Sequence, residues 1–275
     1  MHPVLTGLVL LAALAFPLWW FFLRPRQRRA RLAAQPFPLD WEAQLRQHWP
    51  LYWRLADAER RQLQGLMQQF LDEKDFFGCD GFVITEEVRV LIAAQACLLL
   101  LDKSMEAYAK LQAVLVYPGA FRQILRRRDA AGVMHEQSSV RLGESWGNGR
   151  VVLSWDDVLA GLSDEADYNV VYHEFAHQLD QEDGVSDGTP MLGSRTQLRR
   201  WVQVFTREFE RLRLDSWYGL PSALDSYGAE SPAEFFAVAS EGFFLAPHRL
   251  AHHSPALYRE LCGFYGRDPR NWQNR

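Results

Sequence analysis

The segment NVVYHEFAHQLDQEDG, residues 169–184, places His173 and His177 four positions apart, with Glu174 directly after the first. Four residues of α-helix turn through about 400°, so the two imidazoles lie within about 40° of each other and can ligate one ion. Glu174 sits about 100° from His173 and about 60° from His177, beside such an ion and not on it. This is the spacing for metal-assisted hydrolysis. Zinc held by two His and a carboxylate keeps a position open for water, lowers that water's pKa, and leaves Glu174 to take its proton as general base. The five-residue pattern is weak by itself, since about one chain in a hundred of this length carries it by chance. Its surroundings strengthen it. Val170, Val171, Phe175, Ala176 and Leu179 make the helix apolar, and histidines and a glutamate in a buried helix need partners. Gly184 is a plausible stop for that helix.

A third protein ligand has to come from farther along, because Asp183 stands where an extended HExxHxxGxxH pattern would have its last histidine. SPAEFFAVASEGFF, residues 231–244, is apolar apart from Glu234 and Glu241, which are seven apart and share a helix face. Ser231-Pro232-Ala233-Glu234 also reads as a capping box with Pro at the first helical position. In that case Glu234 caps its own helix and Glu241 would be the ligand. Spacing leaves both open. Asp180, one turn after His177, reads as a surface carboxylate or as a group supporting a ligand. His135, His248, His252 and His253 lack ligand spacing with the motif and read as surface or structural histidines.

The elements that must position these residues form a sequence of helices, a small sheet, then helices again, which predicts an α+β domain. Residues 54–73 carry helical periodicity, and FFGCDGF at 76–82 reads as a loop. Thr85 is an expected N-cap for TEEVRVLIAAQACLLLLD, a helix apolar all round near Ala93 to Leu101 and so central in the core. QAVLVYP, SSVRLGESW and GRVVLSW read as strands, with helical patterns returning from about 167.

The N-terminus differs. Pro3 to Leu23 is an uncharged run of 21 residues, which as a helix spans about 30 Å, the thickness of a bilayer core. Trp19 and Trp20 lie near its end, and Arg24, Arg26, Arg28, Arg29 and Arg31 follow. With no Lys or Arg before the run, the positive-inside rule predicts a single-pass protein of the cytoplasmic (inner) membrane with its catalytic domain in the cytoplasm. The expected division is an anchor and basic flank over 1–31 and a peptidase domain over 32–275, helical over about 40–110, with strands and active-site helices over about 111–275. Arg24 to Pro38 then reads as a juxtamembrane linker.

Net charge is −4, and with five Arg and no acid in residues 1–31 the remainder carries −9, so nucleic acid is not an expected partner. Three widely spaced cysteines, Cys79, Cys97 and Cys262, with no CxxC, read as inert thiols and not as a disulfide or zinc-cysteine framework.

From about Phe70 to Phe244 the chain resembles the Mlc titration factor A family of bacterial metallopeptidases. The resemblance is carried by FFGCDGFVITEEVRVLIAAQACLLLL, YPGAF, GESWGNGRVVLSWDDVLAG, NVVYHEFAHQLDQEDG and SPAEFFAVASEGFF. More remotely it is similar to the catalytic domain of anthrax lethal factor, which shares HEFxH and a downstream EFFA helix. The resemblance implies a zincin-like fold, one Zn2+ per chain on His173, His177 and Glu234, and a peptide or protein substrate. It also implies that Tyr227, seven residues before Glu234, assists the oxyanion, as a phenol donor can. Glu241 then stands behind a ligand histidine or is structural. In a zincin-like fold the strand GRVVLSW is expected at the sheet edge, pairing with extended substrate. The family resemblance further implies aminopeptidase-like activity and a transcriptional repressor as a partner. The alternative reading is a binding protein that sequesters the repressor, with peptidase activity secondary.

Overall fold

The computed structural model describes residues 16, 19–119, 121–128, 134–141, 143–146 and 149–273, without the side chains of 21–22 and 121–146. The N-terminal helices are α1 (Arg24–Ala33), α2 (Leu39–His48), α3 (Pro50–Arg54), α4 (Asp57–Glu73) and α5 (Glu86–Leu98). Thr85 Oγ1 accepts from Val88 N at 3.3 Å, capping α5 as its position predicts. Every α5 residue from Val90 to Leu98 is buried, so this helix runs through the core.

The strands are β1 (Asp75–Gly78), β2 (Ala113–Tyr117), β3 (Phe121–Arg128), β4 (Met134–Arg141), β5 (Gly143–Trp146) and β6 (Arg150–Ser154). Four of them form one sheet in the order β1-β2-β6-β5, with β1-β2 and β2-β6 parallel and β5-β6 antiparallel. β3 and β4 form a separate antiparallel pair. FFGCDGF therefore does not begin as a loop. Phe76 and Phe77 pair with Val114 and Leu115, and the turn follows at Asp80 and Gly81, both at positive φ. β6 is internal, bonded to β2 on one side and β5 on the other, so it is not the edge strand expected to pair with substrate; β5 holds that edge and packs on the motif helix.

The C-terminal helices are α6 (Trp155–Ala160), α7 (Val170–Asp180), α8 (Arg195–Tyr218), α9 (Pro232–Leu245), α10 (Pro247–His253), α11 (Pro255–Tyr265) and α12 (Arg270–Gln273). α7 lies between α5, α9 and the sheet. Phe175 on α7 meets Phe70 and Tyr108, while Phe236 on α9 meets Trp201 and Phe264. These rings bury large apolar areas on both sides of the motif helix, and burying each contributes about 1.5–3 kcal/mol.

The expected α+β domain behind a transmembrane helix is corrected on both counts. The described residues are mostly helical with a small sheet, because the helices before and after the strands supply most of the buried core and the sheet only a few positions, around Val114, Val116 and Val151 to Leu153. Among the described residues no helix is long and apolar enough to cross a membrane. That overturns the transmembrane helix, and the single-pass placement in the inner membrane falls with it; residues 3–15, 17 and 18 of the apolar run lie outside the described residues. Nor are the arginines after the run a linker. α1 packs on α4, where the Ala33 methyl would lie 3.1 Å from a Cβ at Gly65. Arg29 donates to both Glu73 carboxylate oxygens, at 2.6 and 3.1 Å, and Arg28 to Asp72 at 2.7 Å.

Candidate metal centre

Local sequence shapes the motif helix. Asn169 is its N-cap, its Oδ1 accepting from Tyr172 N at 2.9 Å. At the far end a short 3-10 turn, Gln181–Asp183, leads to Gly184 at φ 104°, a conformation glycine adopts without strain. His173 and His177 then share one face, their ring centroids 4.9 Å apart.

The second element sets Glu234 and Glu241 against opposite nitrogens of His173. Ser231 Oγ accepts from Glu234 N at 3.2 Å, and Pro232 opens α9, so the N-terminal cap is made by Ser231. The Glu234 side chain turns the other way. Its Oε2 lies 3.0 Å from His173 Nε2 and 3.2 Å from His177 Nε2, and the two Nε2 atoms are 3.2 Å apart. Glu241, two turns on, meets the opposite nitrogen of His173, with Oε1 2.8 Å from Nδ1. Its Oε2 accepts from Asn169 N at 2.8 Å.

Three ligand atoms, one from each of His173, His177 and Glu234, thus converge within 4.8 Å of one another and could hold a metal ion. Ligand atoms about 2.0–2.1 Å from a tetrahedral zinc are about 3.3 Å apart, close to the separations found. The donor chemistry fits as well. With Nδ1 of His173 facing a carboxylate, its Nε2 presents a lone pair toward another imidazole nitrogen and a second carboxylate. Only protons or a cation reconcile those groups. Burial alone would lower the His173 pKa, but hydrogen bonds to Glu234 and Glu241, with the charges of Glu241 and Glu174, hold it well above the ordinary histidine value. Burial would raise Glu234, yet its bonds and proximity to the two histidines hold it well below the usual carboxylate range.

Glu174 is buried at 4% exposure, and its charge acts on the neighbouring His173. Tyr227 lies on a 3-10 turn, Ser226–Ala229, with its ring centroid 5.9 Å from that of His173 and 36% of its surface exposed. Asp180 is not the surface carboxylate favoured by its sequence position. It is buried and accepts from Ser186 Oγ at 3.2 Å and Gly188 N at 3.0 Å, and burial pushes its carboxyl up to about 6. His248, His252 and His253 are exposed, while the side chain of His135 lies outside the described residues. Ser154 caps α6, Trp155 rests on Phe82, and the three cysteines are free.

Two residues that contribute to the centre were missed in the sequence. Asn169 is legible in retrospect as a capping residue just before an apolar helix. Gln95 is the one amide in the otherwise apolar stretch Val90–Leu98, fully buried, with Oε1 accepting from Asn169 Nδ2 at 2.7 Å.

Comparison with known proteins agrees with this geometry. The chain is 38% identical over 271 residues to an uncharacterized protein of Synechocystis, covering 98% of each. It is 34% identical over 244 residues to Mlc titration factor A of Cronobacter sakazakii, 88% of this chain and 91% of that one. The Escherichia fergusonii protein of the same name is 33% identical over 223 residues, 80% and 83% of the two chains. Residues 23–266 match the model of one peptidase family, a span that includes every residue of the centre, and the chain accordingly belongs to the glucose-regulated metallopeptidase M90 family.

Proposed function

We propose that the chain is a zinc-dependent peptidase with one Zn2+ on His173, His177 and Glu234. The observation that carries this reading is the convergence of those three side chains from two helices beside a buried Glu174. Zinc bound there would supply Lewis acidity, making a water acidic and a peptide carbonyl electrophilic. The chain's own residues do the rest. The Glu174 carboxylate takes a proton from the attacking water as its oxygen bonds to the carbonyl carbon. It then passes that proton to the amine nitrogen as the C–N bond breaks. The Tyr227 phenol donates a hydrogen bond to the oxygen on which negative charge develops.

The test is metal content by mass spectrometry on the purified chain, followed by a screen of unmodified peptides. About one zinc per chain, lost in His173→Ala, with cleavage lost in Glu174→Gln, is the expected result. A chain that holds no zinc after purification without chelators sinks the reading. The resemblance supports trimming from the amino terminus, in which case N-acetylated peptides resist cleavage.

The name of the relatives favours a second activity, titration of a repressor of the Mlc type. Glu174→Gln separates the two. Repressor capture that survives this substitution stands apart from catalysis.

A further inference from the structure

We propose that Gln95, Asn169 and Glu241 form a buried relay that determines which nitrogen of His173 faces the metal, making all three positioning residues of the centre. The proposal rests on the zinc reading above. Gln95 and Asn169 are fully buried and Glu241 is 8% exposed, so their polar groups depend on protein partners.

Each bond in the chain dictates the polarity of the next. Gln95 Nε2 donates to Leu91 O at 3.2 Å, within its own helix, which leaves Oε1 to accept from Asn169 Nδ2. Asn169 Nδ2 also donates to Gly161 O at 2.7 Å, so the amide cannot flip without facing two acceptors with an acceptor. Its Oδ1 is thereby held toward Tyr172 N, as the helix cap requires. The Asn169 backbone N–H is then aimed at Glu241 Oε2. That bond occupies one carboxylate oxygen as an acceptor at the start of α7. The other oxygen, Oε1, lies 2.8 Å from His173 Nδ1 and accepts its proton. Nε2 is left with a lone pair, and that lone pair faces Glu234 and His177. The helix carrying the ligands thus anchors, through its own capping residue, the carboxylate that orients its first ligand.

A cluster that merely joined helices would change unfolding and leave metal affinity and tautomer alone. The experiment uses the full chain as wild type, Gln95→Met, Glu241→Gln and the double variant. The zinc dissociation constant is read by competition with a chromophoric chelator. Histidine 15N shifts report the His173 tautomer in the zinc-loaded protein. Glu241→Gln is expected to weaken zinc about 10- to 100-fold, the range for losing such a support. Gln95→Met is expected to weaken it several-fold. The double variant should bind within about twofold of Glu241→Gln, because Gln95 acts through Glu241. Should Glu241→Gln fail to fold, Gln95→Met carries the test, through weaker zinc and a mixed His173 tautomer. Tight wild-type binding that neither substitution weakens overturns the relay alone, as do multiplicative effects in the double variant. A wild-type chain that binds no zinc overturns the zinc reading and the relay with it.

Discussion

At the residue scale, the histidines and glutamates of the centre differ in what each substitution should remove. Tyr227 lies over the His173 ring without being one of the three converging ligands. Tyr227→Phe is therefore expected to keep zinc content and lower kcat about 10²- to 10³-fold, the usual loss for one oxyanion donor. A parallel loss of zinc would show instead that the phenol supports the metal. Glu234→Gln takes away the carboxylate charge that faces both histidines, and zinc retention should fall with activity.

At the element scale, the decisive contact is between the chain leaving α7 and the start of α9. Gly188 has φ +77°, donates to Asp180, and accepts from Trp201 Nε1 at 3.0 Å. A Cβ there would lie 2.3 Å from Pro232 O, two residues before Glu234. Gly188→Ala is thus strained in φ and pushes backbone against backbone. We expect a loss of about 1–3 kcal/mol, measured by urea unfolding, together with weaker zinc binding as α9 shifts. Unchanged stability would show that the α7–α9 junction yields easily.

At the scale of the whole molecule, α1 is part of the packed body, held on α4 by Arg28 and Arg29. A chain beginning at residue 24 should melt close to the full chain, whereas one beginning at residue 34 should melt several degrees lower; thermal unfolding of both decides. At the other end Asp268 receives Arg270 and the Tyr258 hydroxyl, and the hydrogen bonds from Arg270 hold its carboxyl down at about 2 against 3.8 unfolded. A depressed acid stabilises the fold above its unfolded pKa, and that contribution fades as pH falls from about 4 to about 2. Melting of the wild type against Asp268→Asn at pH 5 and pH 3 should show the gap narrowing in acid, and a constant gap would remove Asp268 from the account. The pair is partly exposed, so the effect is modest.

The sequence by itself determined the motif helix, its stop at Gly184, the Thr85 cap, and a His-His-Glu set drawn from residues 173, 177 and either 234 or 241. These are local matters: a four-residue spacing places two side chains on one face whatever the rest of the chain does, and caps act within one turn. Resemblance narrowed the third ligand to Glu234. Tertiary structure alone showed how both glutamates are used, one toward each nitrogen of His173, because that depends on how α9 lies along α7. It alone made β6 internal, since a strand's neighbours are set by long-range pairing that periodicity does not encode. It also replaced the linker reading of Arg24–Pro38 with a docked helix over Arg24–Ala33, because Arg28 and Arg29 meet Asp72 and Glu73, 44 residues away, and such long-range pairs are not encoded in local charge or hydropathy.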